Sequence, residues 1–210
     1  MFWRKRSAKA SIVQPECKMP DLSGVDSPLM NRLIVRLMVP ESGISQKARA
    51  YRTNFVRLQD KAIREYRQAR EAFLDYIADR GRLMRFIEFT DHMETCISAT
   101  SRLSRLLDRL KSERQSPSFP KELRRFVETK SRSVQDVRNA VEHMDEEIRC
   151  DRVAPGKPIT LTVNENGDGV LASNYQVSFR DLANVLEKFN EIALYILRIK
   201  EMPIPGPVVQ

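Results

Sequence analysis

Histidine is scarce in this chain: His92 and His143 are the only two in 210 residues. That scarcity excludes whole chemistries. A di-iron helical bundle needs two Glu-x-x-His motifs, and the residues three before the histidines are Phe89 and Ala140. A His-Glu-x-x-His zinc helix, a Gly-x-Ser-x-Gly nucleophile elbow and a glycine-rich phosphate loop are also missing. Cysteine is as sparse. Cys17, Cys96 and Cys150 are odd in number, widely spaced and without a CxxC pair. This argues against a disulfide framework or a cysteine zinc site and points to a reducing, cytoplasmic compartment. Seven Gly and 11 Pro are too few for a collagen-like or low-complexity chain. Long apolar runs are lacking too. The basic start (Arg4, Lys5, Arg6, Lys9) is not followed by a signal-peptide core, and the apolar stretch at 33–39 is interrupted by Arg36 and too short to span a bilayer. No membrane role is expected.

What the chain does have is charge and helical periodicity. Thirty-six Lys and Arg against 28 Asp and Glu leave a net charge of +8, which favours an acidic partner such as nucleic acid. Hydrophobic residues at 41% suffice for a sizeable core. Residues 1–46, punctuated by Pro15, Pro20, Pro28 and Pro40, read as an arm in which 30–39 forms a short helix or strand. A first long helix is predicted over 46–79, with Ser45 as N-cap and the stripe Tyr51, Phe55, Leu58, Ala62, Tyr66, Ala69, Phe73, Tyr76. Gly81 breaks it. A second is predicted over 82–113, ending at Ser116-Pro117-Ser118. A third starts near Pro120, with Ser118 as candidate cap, and carries Leu123, Val127, Val134, Val137, Val141, Met144 and Ile148. The period then changes. Ile159 to Val163 alternates, 164–169 is a turn sequence, and Val170-Leu171 begins a return, so a β-hairpin is expected at about 157–173. The last helix opens at Ser178 with Asp181 three residues on, and runs to about Glu201 before a Pro-rich tail at 202–210. It is apolar nearly all round from Ile192 to Ile199, as expected of a central helix or a subunit interface. The fold class predicted is all-α: an antiparallel bundle of four long helices over 47–201, a small hairpin between the third and fourth, and the N-terminal arm.

The stretch Arg138-Asn139-Ala140-Val141-Glu142-His143 lies on the third helix. Val137, Val141 and Met144 mark its buried side, and Asn139 and His143, at i and i+4, share the opposite one, flanked by Arg138 and Glu142. An imidazole moves protons near neutral pH. A guanidinium binds phosphate and stabilises developing negative charge. Those are the parts that metal-free RNA cleavage needs. A single imidazole does not serve well as base and acid at once, so a homodimer presenting two copies would help. The same residues also fit an ordinary solvated face, and the acidic run Asp145, Glu146, Glu147 opposes phosphate binding nearby. His143 and Glu147 could touch a metal, but two ligands make a poor site; no metal and no cofactor are expected. His92, beside Asp91 and Glu94, reads as structural or solvated.

From Arg102 to Arg132 there are ten basic and four acidic residues. Arg102, Arg105, Arg109, Arg114, Lys121, Arg124 and Arg125 are the candidate RNA-backbone contacts in it. A pair of solvated helix ends would show the same excess.

Arg138-Asn139-x3-His143 resembles the Arg-x4–6-His motif of the HEPN superfamily, in which a polar residue commonly follows the Arg. The resemblance implies an α-helical bundle with the motif on a later helix, metal-independent ribonuclease activity in a dimer that unites two motifs, and a setting in toxin–antitoxin, abortive-infection or CRISPR-associated defence. It implies catalytic roles for Arg138 and His143, with Asn139 supporting or orienting them, and an antitoxin or other defence-system protein as a possible partner. The toxin subgroup carries Tyr two residues after the His, where this chain has Asp145. Other members keep the fold as a binding or dimerisation module without catalysis. The sequence therefore carries two expectations: a HEPN-type endoribonuclease, or a helical module that binds a protein or nucleic acid without cutting it.

Overall fold

The computed structural model describes residues 17–37, 45–112, 120–151 and 160–197. Among these the chain is mostly helical, with six helices and one small three-stranded antiparallel sheet. In order they are α1 (Met30–Leu37), α2 (Gln46–Ala78), α3 (Leu83–Ser112), α4 (Lys121–Glu142), α5 (Met144–Arg149), β1 (Thr162–Val163), β2 (Gly169–Ala172), β3 (Tyr175–Ser178) and α6 (Phe179–Ile196). The sequence at 113–119, including Arg114 and the candidate cap Ser118, lies outside the described residues, as do Ile159 and the tail from 198 onward.

Helix α2 runs for 33 residues because nothing in it breaks a helix. Ser45 caps it, its side chain accepting from the Ala48 N–H at 3.1 Å. It stops where Arg80 and Gly81 take positive φ (55° and 85°), and the Gly81 N–H closes the end on the Tyr76 carbonyl at 2.8 Å. After this tight turn α3 returns along α2. The facing stripes meet in a run of rings, with Phe73 against Phe89 (centroids 4.9 Å apart) and Tyr76 against Phe86 (5.3 Å). Helix α6 starts in the same cluster, Phe179 lying 6.3 Å from both Phe73 and Phe89, and runs back along α2 to Phe189 beside Phe55. Ser178 caps it as expected, accepting from the Asp181 N–H at 3.0 Å. Ile192, Ala193, Ile196 and Leu197 are buried within the chain, which accounts for most of the apolar surplus of this helix.

The part of the N-terminal stretch that is described packs into the core, where Met19, Leu22, Leu29 and Leu33 are buried. Polar side chains of α2 hold its backbone. Asp60 accepts from the N–H groups of Leu29 and Met30, both at 2.7 Å, and so caps α1 from another helix. Arg67 donates to the carbonyls of Leu22 and Val25 at 2.8 and 2.7 Å, Arg70 to that of Met19 at 3.1 Å, and the Tyr66 hydroxyl to that of Pro20 at 3.1 Å.

Two expectations need correction. The third helix does not run unbroken to Ile148. It ends at Glu142, turns at His143 (φ −96°, ψ 6°), and α5 begins at Met144. The acidic run Asp145, Glu146, Glu147 is the first turn of that new helix, where carboxylates suit the exposed N–H groups. The stripe accordingly stops at Met144, and Ile148 is 51% exposed. The hairpin is in fact three strands in the order β1-β2-β3, with Val163 opposite Val170, and Val170 opposite Val177. Gly169 lets β2 and β3 close, since a Cβ there would stand 2.4 Å from the Val177 carbonyl oxygen.

Candidate functional site

The last turn of α4 brings Arg138, Asn139, Glu142 and His143 together at one end of the helix. Val137 and Ala140 hold the turn against the core. His143 is the joint between α4 and α5. Its N–H donates to the Asn139 carbonyl at 2.9 Å, and its own carbonyl accepts from the N–H groups of Glu146 and Glu147, both at 3.1 Å. The ring is exposed and has no side-chain hydrogen bond among the described residues. Arg138 is held differently. One terminal nitrogen donates to the Asn139 side-chain oxygen at 3.1 Å, and the other pairs with the Glu142 carboxylate. Its side chain is 20% exposed and that of Glu142 43%. Five residues of helix separate Arg138 from His143 in direction by about 140°, so the two side chains leave the helix on different sides.

On the Arg138 side, Glu142 forms one wall of a groove of about 360 Å³ between α2, α3 and the end of α4. Lys61 of α2 and Glu94, Ser98 and Arg102 of α3 line it as well. Lys61 and Arg102 have no carboxylate within ion-pair distance among the described residues. Glu94 is half-buried. Burial and the neighbouring Asp91 push its carboxyl above the usual range, against the opposing effect of a hydrogen bond from the Leu161 N–H.

The sequence-predicted basic residues fall into two groups. Arg102, Arg105 and Arg109 are exposed at i, i+3 and i+7 along one face of α3. Lys121 and Arg125 are exposed, and Arg124 half-buried 3.5 Å from Glu128, at the start of α4. That start is about 25 Å of helix from Arg138. Of all these only Arg102 adjoins the motif, lining one groove with Glu142, while Arg105 and Arg109 lead away from it along α3; Arg114 lies outside the described residues.

A second polar cluster was not legible as such in the sequence. Nδ1 of His92 on α3 lies 2.9 Å from Oε2 of the buried Glu65 on α2, whose other oxygen accepts from Arg64 at 2.9 Å. Burial pushes the Glu65 carboxyl up, but the hydrogen bonds and charges of Arg64 and His92 outweigh it and leave the group below its ordinary value. Its signal was available: Glu65 stands seven residues after Leu58, on the apolar stripe of α2, and a carboxylate there needs a partner from the facing helix. His92 also edges a polar groove of about 220 Å³ lined by Glu71, Asp75, Arg85 and Glu88. Arg85 offsets part of the negative charge of that groove, 2.8 Å from Glu88 and 3.9 Å from Asp75.

Among the described residues no group of three His, Cys, Asp or Glu side chains is placed to hold a metal ion, and no helix is long and apolar enough to cross a membrane. No family model matches this chain, and neither a curated protein nor a solved structure matches it.

Proposed function

We propose that the chain is a metal-independent endoribonuclease of the HEPN type that works as a homodimer. The observation that carries this is the presence, at one end of α4, of an exposed imidazole at a helix break and, five residues earlier, an arginine held in place by its neighbours. In the proposed reaction His143 takes the proton of a ribose 2′-hydroxyl. The freed oxygen attacks the adjacent phosphorus, and the bond to the 5′-oxygen breaks. The leaving oxygen takes a proton from His143 of a second copy. The products are a 2′,3′-cyclic phosphate and a 5′-hydroxyl. Arg138 stabilises the charge that gathers on the phosphorus oxygens.

The Arg138–Glu142 pair does not forbid this role. A partly exposed ion pair is worth roughly 0–1 kcal/mol, whereas a guanidinium–phosphate contact is bidentate and charge-assisted. Glu142 and Asn139 keep the fork aimed until a phosphate replaces the carboxylate. The divergence of Arg138 and His143 favours a site composed from two copies, with the seam at the end of α4 and the exposed Ile148 of α5 within it. We read the four long helices α2, α3, α4 and α6 as the antiparallel bundle of that superfamily. The setting proposed is a cytoplasmic defence or toxin-like system, with an antitoxin or other defence protein as regulator.

One observation favours the second reading, a non-catalytic binding module: the fork of Arg138 is already occupied by Glu142 and Asn139. Incubation of the purified protein with total RNA in EDTA, beside His143→Ala, separates the two. The ribonuclease cuts RNA in EDTA, leaves cyclic phosphate ends and spares DNA, and the variant is inactive. Dependence on a metal or equal cutting of DNA overturns the mechanism, and no cutting under any condition leaves the module.

A further inference from the structure

We propose that the groove between α2, α3 and the end of α4 is a phosphodiester subsite for single-stranded RNA, held by Lys61 and Arg102 and continued along α3 by Arg105 and Arg109. As an RNA subsite it rests on the reading of the motif given above. Many cations of this chain are engaged by carboxylates: Arg64 by Glu65, Arg85 by Glu88, Lys130 by Asp181, Arg138 by Glu142. Among the described residues Lys61 and Arg102 are not, although Glu94 and Glu142 line the same groove. Two helices thus bring two available positive charges to one concave surface, at a volume near the lower end of ligand-sized pockets. Glu142 ties the groove to the motif, because it is both a groove wall and the partner of Arg138. A strand whose scissile phosphate displaces Glu142 from Arg138 would bring a neighbouring phosphate between Lys61 and Arg102.

The outward direction is set by α3. Ser98, Arg102, Arg105 and Arg109 follow one another at helical spacing, so the strand leaves the groove over a positive stripe. Of the two groove carboxylates, Glu142 is paired with Arg138 and Glu94 has no cationic partner among the described residues. The contacts are to phosphates and to no base edge, so the subsite positions RNA and contributes little sequence preference. Lys61 is the new residue here. It belongs to α2, 41 positions before Arg102, and only the fold makes them neighbours.

The test uses full-length protein carrying His143→Ala, so that RNA stays intact. A labelled oligouridylate is titrated by fluorescence anisotropy over a range of salt. Adding Lys61→Gln and Arg102→Gln should weaken binding at least tenfold and flatten the salt slope by about 1.4, the value for two phosphate contacts on a single strand. Glu94→Gln should tighten binding. Circular dichroism confirms that each variant keeps its helices. Unchanged affinity and slope in the double variant overturn the subsite, as does a poly-glutamate peptide that competes as well as RNA. The motif reading fails separately. RNA bound through Lys61 and Arg102 by a wild-type protein that cuts nothing removes the ribonuclease and keeps the subsite. Cleavage with unchanged KM in Lys61→Gln/Arg102→Gln made with His143 intact removes the subsite and keeps the ribonuclease.

Discussion

The two histidines of this chain sit in opposite circumstances. His92 lies in the seam between α2 and α3, its Nδ1 fixed 2.9 Å from a carboxylate that is itself buried and shared with Arg64. His143 stands at the joint of α4 and α5, where the backbone is fully bonded and the ring faces solvent. A ring fixed to an internal partner contributes to holding two helices together. A ring carried on a rigid backbone with no side-chain partner is free to act on something brought to it. On the function proposed above, the first serves stability and the second chemistry, although a carboxylate-oriented imidazole would ordinarily look the better catalyst.

The sharpest way to break that assignment is to remove each ring in turn. His143→Ala should lower RNA cleavage by roughly 10²–10⁴ and leave the melting temperature alone. His92→Ala should do the reverse. Cleavage lost with His92 rather than His143 would move the active site to the α2–α3 seam. Arg138→Ala comes next, with a rate loss of roughly 10²–10³. Arg138→Lys should fail to restore the rate, because an ammonium lacks the planar fork. Full rescue by Lys in a single-turnover assay would reduce Arg138 to a simple charge.

On the stability side, Glu65→Ala removes the carboxylate that links His92 to Arg64 and should cost about 0.5–1.5 kcal/mol, since both partners are partly exposed and can turn to water, or about 2–4 °C of melting temperature per kcal/mol in a domain of this size. An unchanged melting curve would show the His92 pair to be ornamental. The pH dependence has a definite sign. The folded-state value of Glu65 lies below its ordinary 4.5, so its stabilisation is complete above that value and is lost as pH falls through the folded one. The gap in urea midpoint between wild type and Glu65→Gln should therefore close in acid. One turn further along the same seam, burial pushes the Cys96 thiol up to about 12 from 9.0. Between those values the unfolded chain has lost a proton that the folded chain keeps, so stability falls with rising pH by about 1.4 kcal/mol per unit. Cys96→Ala should flatten that alkaline limb. Asn139→Ala should be the mildest change, a small rate loss from a less well aimed Arg138, read in the same single-turnover assay.

The α2–α3 pair was legible because its information is local. Stripes at steps of three and four, Ser45 before the first and Gly81 between them are all signals within one helix or one turn. The end of α4 was harder to read. Val141, Met144 and Ile148 keep helical rhythm across His143, so apolar spacing alone ran straight through the break, while the acidic triplet that opens α5 registered only as unwelcome charge. Strand β3 escaped for a related reason. Its four residues end on Ser178, whose capping of α6 dominated the local pattern. At the candidate site, Arg138, Asn139 and His143 were visible as a spacing. The pairing of Lys61 with Arg102, and of Glu65 with His92, joins different helices and has no expression in linear spacing. Basic residues near one another in sequence, such as Arg109 and Lys121, meanwhile proved to lie on separate helices at the end away from the motif.

The way α2 grips the segment before α1 has a consequence for how this protein can change over generations. Arg67, Arg70 and Tyr66 bond to carbonyls, and Asp60 to N–H groups, that every residue type but proline supplies in full. The path of the strap is thus written largely in α2, while the strap itself carries the apolar anchors Met19, Leu22 and Leu29 and the Ser27 hydroxyl that donates to Asp60 at 3.2 Å. Exposed positions such as Ser23, or Gly24, where an added Cβ would meet nothing within 4 Å, are free to drift. A single replacement of Arg67 releases two carbonyls at once. Mutational tolerance and mutational fragility therefore fall on the two sides of one contact, with the variable side in the strap and the constrained side in the helix beneath it.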